Sequence, residues 1–342
     1  MLSAGSINES SLMSDSMFFA ERGIIKTKLP ILNLAFSGDL HGGFVTGLTI
    51  LAGESKMFKS MLGLYCLKAY MDTYSDAVCL FYDSEFGTPP AYMKSMGIDI
   101  SRVIHIPLEH VEQLKFDIVK RLDEITRGDH VFIMVDSLGN LASKKEVEDA
   151  NDEKSVSDMT RAKAIRSLLR IITPHLTMKD LPCIMVNHVY KTMELYAKTV
   201  IPGGTAVMYS ANQIFVISRR QDKDADGVVN GYTFIINIEK SRYVKEKSKF
   251  PFEVSFETGI DRWSGLFDIA GELGFIAKGT KKGTYCLVDT KTGVVDEQEF
   301  KESQLATNGA FWEKMLARPD FVDAVKNKYQ LSHGPIMQKE AV

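Results

Sequence analysis

Residues 47–64 read GLTILAGESKMFKSMLGL, and this stretch decides the fold. Its apolar run, 48–51, predicts a buried strand that ends at Gly53. A short polar segment follows, then Lys59-Ser60 and a helix rich in Leu and Met. Phosphate-binding loops of the Walker A type have a strand, a glycine loop, Lys-Ser and a helix in this order, so the stretch predicts such a loop.

The residue types of this loop suit a bound nucleoside triphosphate. Gly53 lets the backbone turn tightly, and the N–H groups after it and at the helix N-terminus can face an anion. Lys59 would reach the β- and γ-phosphates, and Ser60 would ligate Mg²⁺. Phe58 departs from the pattern, which usually has glycine before the lysine. An ordinary strand-to-helix turn with an exposed lysine is the alternative.

Composition narrows the class of protein. Of the 342 residues, 45% are hydrophobic and 25% charged, as in a soluble globular protein. The 41 basic and 44 acidic residues give a net charge of −3, so any nucleic-acid site has to be a local patch. The four cysteines lack Cys-x-x-Cys spacing, which argues against a zinc site or a disulfide framework. We expect no membrane span and no signal peptide, because no apolar run approaches ~18 residues and the N-terminus is Ser-rich.

Apolar strands and amphipathic helices alternate after the phosphate loop. The predicted strands are 48–51, 77–82, 131–135 and 181–186, and the predicted helices are 60–74, 108–127 and 156–176. This alternation predicts an α/β fold with a mostly parallel central sheet covered by helices on both faces. Three further strands, predicted at 214–218, 232–239 and 252–256, indicate an antiparallel extension of that sheet.

The chain divides into three predicted parts. We expect residues 1–30 to form an N-terminal tail that could contact a neighbouring subunit, 31–258 the core that carries the phosphate loop, and 259–342 a small α+β domain with a loose tail. The last part contains predicted helices at 266–273 and 311–329. In the tail, the apolar cluster Met17-Phe18-Phe19 either packs on the core or docks on a neighbouring subunit.

Polar residues follow the predicted parallel strands, at the edge where such sheets bind ligands. Asp136 ends the strand 131–135, the position of a Walker B carboxylate that orients Mg²⁺, although it could instead cap a turn. Glu85 follows the second strand and could polarise the water that attacks the γ-phosphate. Asp83 is its competitor, but it lies one pleat away, so we expect it to face the core or to cap a turn. His188 closes the fourth strand, where it could contact the γ-phosphate or be a structural histidine.

Two long segments follow this edge of the sheet. Residues 142–157 are charged, and residues 189–209 contain Lys191, Lys198 and the pair Gly203-Gly204. Lysines and glycines suit a loop that folds onto a phosphate backbone, and a solvated loop is the alternative. Further on, Lys240 and Arg242 alternate along a predicted strand, so they could reach a phosphate on a neighbouring subunit as an arginine finger does.

With these residues placed, the chain resembles the RecA family of strand-exchange recombinases and, within it, the recombinases of T4-type phages. The resemblance is clear over about residues 26–256 and weaker up to 329. It is carried by GESKMFKS (53–60), DAVCLFYDSEFG (76–87), FIMVDSLGNLASKKE (132–146), VNH (186–188), GGTAVMYSA (203–211) and EKSRYVKEKSKF (239–250).

The resemblance implies roles for single residues. The nucleotide would contact Gly53, Glu54, Ser55, Lys56, Met57, Phe58, Lys59, Ser60, Met61, Tyr92 and Asp136. Within that set, Tyr92 would stack on adenine, and Ser60 and Asp136 would hold the metal ion, with Ser137 completing the Walker B end. Catalysis would involve Glu85 on the water, Lys59, His188 as γ-phosphate sensor, and Lys240 and Arg242 acting on the ATP of the adjacent protomer. DNA would contact Ser143, Lys144, Lys145, Lys191, Lys198, Gly203 and Gly204.

The resemblance also implies an activity and partners. We expect an ATP- and Mg²⁺-dependent protein that forms a helical filament on single-stranded DNA and exchanges strands with homologous double-stranded DNA. The expected partners are a loading protein and a single-strand-binding protein, in the cytoplasm of an infected bacterium. Two alternatives share the ATP site: a hexameric helicase motor, and a regulatory ATP-binding module without DNA chemistry. DNA-stimulated ATP hydrolysis would exclude the module, and strand exchange without unwinding would exclude the helicase.

Overall fold

The computed structural model describes residues 10–18, 23–151, 160–191, 199–223 and 226–331. Its strands are β1 (Gly47–Gly53), β2 (Val78–Asp83), β3 (Val103–Pro107), β4 (Val131–Asp136), β5 (Pro182–His188), β6 (Tyr190–Lys191), β7 (Thr199–Val200), β8 (Gln213–Lys223), β9 (Val229–Lys240), β10 (Lys249–Ser255), β11 (Gly259–Ile260), β12 (Ile276–Lys278), β13 (Thr284–Leu287) and β14 (Phe300–Lys301). Its α-helices are α1 (Pro30–Ser37), α2 (Lys59–Thr73), α3 (Pro90–Ser95), α4 (Val111–Glu124), α5 (Lys144–Asn151), α6 (Thr160–Met178), α7 (Gly204–Ser210), α8 (Leu266–Glu272), α9 (Glu302–Ala306), α10 (Gly309–Leu316) and α11 (Pro319–Tyr329).

One large sheet organises the molecule. Its nine strands lie in the order β11-β10-β9-β8-β1-β5-β4-β2-β3. The strands from β8 to β3 pair in parallel, and those from β8 to β11 pair antiparallel. The α/β class, the mostly parallel sheet and its antiparallel extension are therefore confirmed. The remaining small sheets are β12-β13-β14 and the hairpin β6-β7.

Both faces of the parallel part are buried, which explains why its strands read as continuous apolar runs. In β1, Ile50 packs into the hydrophobic cluster that includes α4 and α6, while Leu51 packs into the cluster that includes α1 and α2. The same alternation occurs in β4, where Ile133 and Phe132 face opposite clusters. The sheet thus stands between two helical layers, and its carboxyl edge is left for a ligand.

The C-terminal residues continue one of these clusters. Trp312 and Phe321 are fully buried in the same cluster as α1 and α2. Tyr329 packs edge-on against Phe250 of β10, with ring centroids 5.1 Å apart. The region after residue 259 is thus continuous with the core, and its separation into a domain stays a prediction.

Several elements differ from the predictions. The edge strand β3 was not expected, because its short sequence VIHIP is only half-buried. The predicted helix 311–329 is wrong as one element, since Pro319, which has no N–H to donate, begins a separate helix. The segments 142–157 and 189–209 were expected to lack regular structure, yet they contain α5 and α7.

The N-terminal tail is described in part. Arg127 donates a hydrogen bond to the carbonyl of Met17 (3.2 Å) and lies 5.7 Å from the centroid of the Phe18 ring. These two residues therefore contact their own chain, whereas Phe19 and the predicted loose tail from 332 lie outside the described residues. In the part of the chain that is described, no helix combines the length and the apolar character needed to cross a membrane.

Candidate nucleotide and DNA site

The phosphate loop joins β1 to α2. A Cβ atom on Gly53 would lie 2.7 Å from the carbonyl oxygen of Ile217, so a side chain does not fit there. Phe58 has φ 61° and ψ 15°, a left-handed backbone that glycine adopts more easily, and α2 begins directly after it. Lys59 is buried, and its Nζ donates to the carbonyl of Glu54 (2.6 Å). Burial lowers the pKa of Lys59, and the carboxylates of Glu85 and Asp136 oppose that effect.

Asp136 ends β4 next to this loop and is only 3% exposed. Burial raises the pKa of its carboxyl to about 6, against an opposing hydrogen bond from Ser60. Among the described residues, its Oδ1 has no hydrogen-bond partner. A buried carboxylate oxygen without a partner, beside a hydroxyl, is a donor set that fits a divalent cation.

Glu85 lies across the cavity from the phosphate loop, two residues after β2. Its Oε1 accepts hydrogen bonds from Ser137 Oγ and from His188 Nε2, the latter at 2.6 Å. Burial alone would raise the pKa of Glu85, but these two hydrogen bonds and the charge of Lys59 bring it below its ordinary value. Glu85 is therefore a carboxylate at neutral pH and can accept a proton.

Asp83 supports Glu85 rather than competing with it. It is buried at the end of β2, where its Oδ1 accepts the backbone N–H groups of Glu85 (3.0 Å) and Phe86 (2.8 Å). Its Oδ2 lies 3.1 Å from His105 Nε2. Asp83 thus caps the turn that carries Glu85, which is one of the two positions expected from the strand pleat.

These side chains surround a cavity of about 570 Å³, a size typical of a small-molecule site. Its lining includes Lys59, Ser60, Glu85, Tyr92, Asp136 and His188. Five of the six were predicted from their places in the sequence and Tyr92 from the family resemblance alone, and the structure brings all six together. Of the loop itself, the residues that line the cavity are Ser55, Lys56, Met57, Phe58, Lys59, Ser60 and Met61.

A second groove of about 710 Å³ adjoins the cavity and shares Phe58, Met61 and Tyr92 with it. Tyr92 lies on α3, and its hydroxyl donates to the sulfur of Met61. Phe256 lines the same groove and is 62% exposed. The sequence reasoning missed Phe256, because only the antiparallel pairing of β9 and β10 brings it near Tyr92.

His188 connects this cavity to the predicted DNA segments. It ends β5, and the hairpin β6-β7 begins two residues later. Asn187, next to it, donates to the carbonyl of Pro202 (2.9 Å), just before α7. A cavity of about 420 Å³ lies there, and its lining includes Gly139, Arg161, His188, Tyr190 and Gly203. Residues that flank the first predicted DNA segment and residues of the second therefore line one cavity together with His188.

The predicted DNA residues have different environments. Lys144 and Lys145 are exposed at the start of α5. Ser143 is fully buried, and its Oγ accepts the N–H of Glu146 (3.0 Å), so it is a helix cap and a direct DNA contact is not supported. Gly203 and Gly204 have φ of 94° and 56° and begin α7. Lys191 belongs to β6, and Lys198 lies outside the described residues.

The sequence reasoning also missed a basic stripe on α6. Lys163, Arg166 and Arg170 are exposed and recur every three or four residues, so they lie on one face of the helix. Among the described residues, none of the three side chains makes an ion pair or a hydrogen bond. The signal was present in the sequence as TRAKAIRSLLR (160–170), where the basic residues lie between the apolar residues that form the buried face of α6.

Lys240 and Arg242 were expected on one strand, but the structure does not place them so. The strand β9 ends at Lys240, and Arg242 follows it in an exposed turn. Lys240 Nζ donates to the carbonyls of Met208 and Ala211, the latter at 2.7 Å, so it caps the C-terminus of α7. Burial lowers the pKa of Lys240, and the nearby Arg242 adds to this effect. Neither residue lines the cavity of its own chain.

Comparison with known proteins agrees with this geometry. The family model described as the RecA N-terminal domain matches residues 40–261, and the model described as the C-terminal domain of the bacteriophage T4 recombination and repair protein matches residues 263–325. The chain belongs to the RecA family, and it is a strand-exchange recombinase with DNA-dependent ATPase activity.

Individual relatives support the same assignment. The recombination and repair protein of Enterobacteria phage T4 is 51% identical over 333 residues, which cover 96% of this chain and 84% of that protein. Protein RecA of Aquifex aeolicus is 23% identical over 297 residues, 86% of this chain and 80% of that protein. Protein RecA of Thermotoga neapolitana is 24% identical over 309 residues, 87% and 82% of the two chains.

Proposed function

We propose that the chain binds ATP with Mg²⁺ in the cavity beside the phosphate loop, and uses ATP to assemble as a helical filament on single-stranded DNA. One observation carries this proposal. Lys59, Glu85, Asp136 and His188, predicted from separate parts of the sequence, line one cavity at the carboxyl edge of the sheet. That edge is where an open parallel sheet binds its ligand.

In the proposed site each residue has a distinct task. Lys59 and the N–H groups at the start of α2 bind the phosphates, while Ser60 and Asp136 would hold Mg²⁺, which stabilises the charge that develops on the transferred phosphoryl group. Glu85 accepts a proton from the attacking water, and Ser137 and His188 orient its carboxylate. Tyr92 and Phe256 offer aromatic faces to the adenine base.

His188 couples nucleotide to DNA in this proposal. Its imidazole contacts Glu85 on one side, and its backbone leads into the hairpin β6-β7 on the other. A contact with the γ-phosphate would shift that hydrogen bond and with it the position of the hairpin. ATP and DNA would then favour the same state, and each would strengthen binding of the other.

The DNA face lies around α5, α6 and the hairpin. Lys144 and Lys145 on α5 and the stripe Lys163, Arg166 and Arg170 on α6 supply exposed positive charge. Such a face would hold the DNA backbone and leave base edges free to pair with a homologous duplex, so that base pairing supplies the specificity.

Contacts between protomers complete the proposed site. Lys240 and Arg242 lie away from the cavity of their own chain, and in this proposal they reach the ATP of an adjacent protomer, for which Lys240 would have to leave the carbonyls of α7. The further partners we infer are a loading protein and a single-strand-binding protein. The cytoplasm of an infected bacterium fits the similarity to a phage recombinase.

The test is ATP hydrolysis with and without single-stranded DNA, followed by strand exchange between homologous molecules. Stimulation and exchange in the wild type, both lost in Lys59→Ala, are the expected results. Undiminished turnover in Lys59→Ala would overturn the assignment of the ATP site.

A further inference from the structure

The phosphate loop contains two non-glycine residues with left-handed backbone, Lys56 and Phe58, both at φ 61°. This conformation is unfavourable for a bulky L-residue, and the common motif places glycine directly before the lysine. An aromatic residue can persist there only if its surroundings hold it. The structure shows what those surroundings are.

Both residues are held by the antiparallel strands. The ring of Phe58 lies 4.9 Å from that of Phe234 on β9 and 5.8 Å from that of Phe252 on β10. Phe234 and Phe252 are buried and stack on each other at 5.5 Å. At the other residue, Arg219 Nη1 of β8 donates to the carbonyl of Lys56 (3.2 Å).

The contacts continue to the groove beside the cavity. Arg219 lies 4.3 Å over the ring of Tyr232, which contacts Phe234 (6.0 Å) and Phe256 (5.6 Å). We call Phe58, Tyr232, Phe234, Phe252 and Phe256 the aromatic wall. It runs from the phosphate loop to the groove that contains Tyr92.

We propose that Phe58 is a positioning residue for ATP hydrolysis, whose packing on the aromatic wall fixes the end of the phosphate loop and thereby the direction of Lys59 and Ser60. The inference rests on the ATP site proposed above. Phe58 is the residue directly before Lys59, and it lines both the phosphate cavity and the adjoining groove. In place of a glycine that permits the turn, this loop has a side chain that holds the turn against the sheet.

The test compares Phe58→Gly, Phe58→Leu and Phe234→Leu in DNA-stimulated ATP hydrolysis. Glycine keeps the left-handed backbone but removes the ring, so the KM for ATP is expected to rise about tenfold, with a fall in kcat. Phe58→Leu keeps part of the contact and is expected to raise KM about threefold, and Phe234→Leu, which changes no residue of the loop, is expected to do the same. The double variant should add little to either single one, because the two side chains act through one contact.

The matched control is Phe250→Leu. Phe250 is buried, as Phe234 is, but it lies on β10 and contacts Tyr329 instead of Phe58. Its KM should stay within about twofold of wild type, since a loss of folded protein alone lowers the apparent kcat without raising KM. Thermal unfolding of each variant verifies that it is folded at the assay temperature.

Two results would overturn the inference. A wild-type KM in Phe58→Gly would mean that the left-handed backbone is sufficient, and an equal rise in Phe250→Leu would mean that general weakening of the sheet is the cause. Lys59→Ala separates this failure from that of the site. If Lys59→Ala loses turnover while Phe58→Gly behaves as wild type, only the inference about Phe58 fails. If Lys59→Ala retains turnover, the proposed ATP site fails first.

Discussion

At the scale of single residues, the two carboxylates after β2 have different tasks because of where their oxygens point. Asp83 is buried and accepts the backbone N–H groups of the turn, while Glu85 reaches the cavity. We predict that Glu85→Gln keeps ATP binding and filament assembly but lowers kcat about 100-fold or more, because an amide cannot take the proton of the water. Single-turnover hydrolysis measures the chemical step, and a nucleotide-binding titration measures the affinity for ATP separately. Loss of ATP binding would indicate that Glu85 is structural.

Asp136 illustrates the conflict between stability and catalysis. Since burial raises its pKa from 3.8 to about 6, the folded protein keeps this proton between those values while the unfolded chain releases it. Stability therefore falls as pH rises through this window, by about 3 kcal/mol once pH exceeds 6. Without Mg²⁺, Asp136→Asn is expected to raise the melting temperature at pH 7.5, and to do so much less near pH 4.

The same variant should lose ATP hydrolysis, because an amide is a poor ligand for Mg²⁺. Saturating Mg²⁺ should narrow the difference in melting temperature at pH 7.5, since it stabilises the wild type and not the variant. If Asp136→Asn is no more stable than wild type at pH 7.5 in the absence of metal, burial of the ionised carboxylate does not destabilise the folded protein.

Four residues of the cavity could be identified from the sequence because of their positions: one belongs to the phosphate loop, and the other three follow apolar strands. Lys59, Glu85, Asp136 and His188 could be predicted because parallel strands place their carboxyl ends along one edge. Phe256 could not, since its place beside Tyr92 depends on how three antiparallel strands fold back. The packing of Phe58 on Phe234 was hidden for the same reason.

At the scale of elements, Lys240 joins the antiparallel part of the sheet to α7. Its ammonium group is bonded to the last carbonyls of that helix, where a cation is favourable. We predict that Lys240→Met increases hydrogen exchange in residues 204–210 of the DNA-free protein. Arg242→Met is the control, because Arg242 is exposed in the turn and should leave that exchange unchanged.

Both variants should weaken ATP-dependent filament assembly if the two side chains reach the ATP of an adjacent protomer. If Lys240→Met alters exchange but not assembly, its function is confined to the helix. The alternation of Lys240 and Arg242 suggested one shared face, and that interpretation was wrong because the strand ends between them. Short helices such as α5 and α7 were missed because seven or eight residues carry little periodic signal.

At the scale of the whole molecule, a net charge of −3 makes global attraction to DNA negligible, so the location of the charge decides the affinity. The stripe Lys163, Arg166 and Arg170 is exposed and unpaired among the described residues. If each contacts one phosphate of single-stranded DNA, replacing all three by alanine should reduce the slope of log K against log salt concentration by about 2. The measurement is a titration of labelled oligonucleotide at several salt concentrations with saturating ATP.

The matched control removes three exposed lysines from the C-terminal region, Lys291, Lys301 and Lys314. Both triple variants change the net charge by the same amount, so an effect of overall charge would appear equally in the two slopes. A contact surface formed by α6 requires the slope to change only when the stripe is removed, because counterions are released only where phosphates are neutralised. Equal slopes in the two variants would place the DNA elsewhere on the protein.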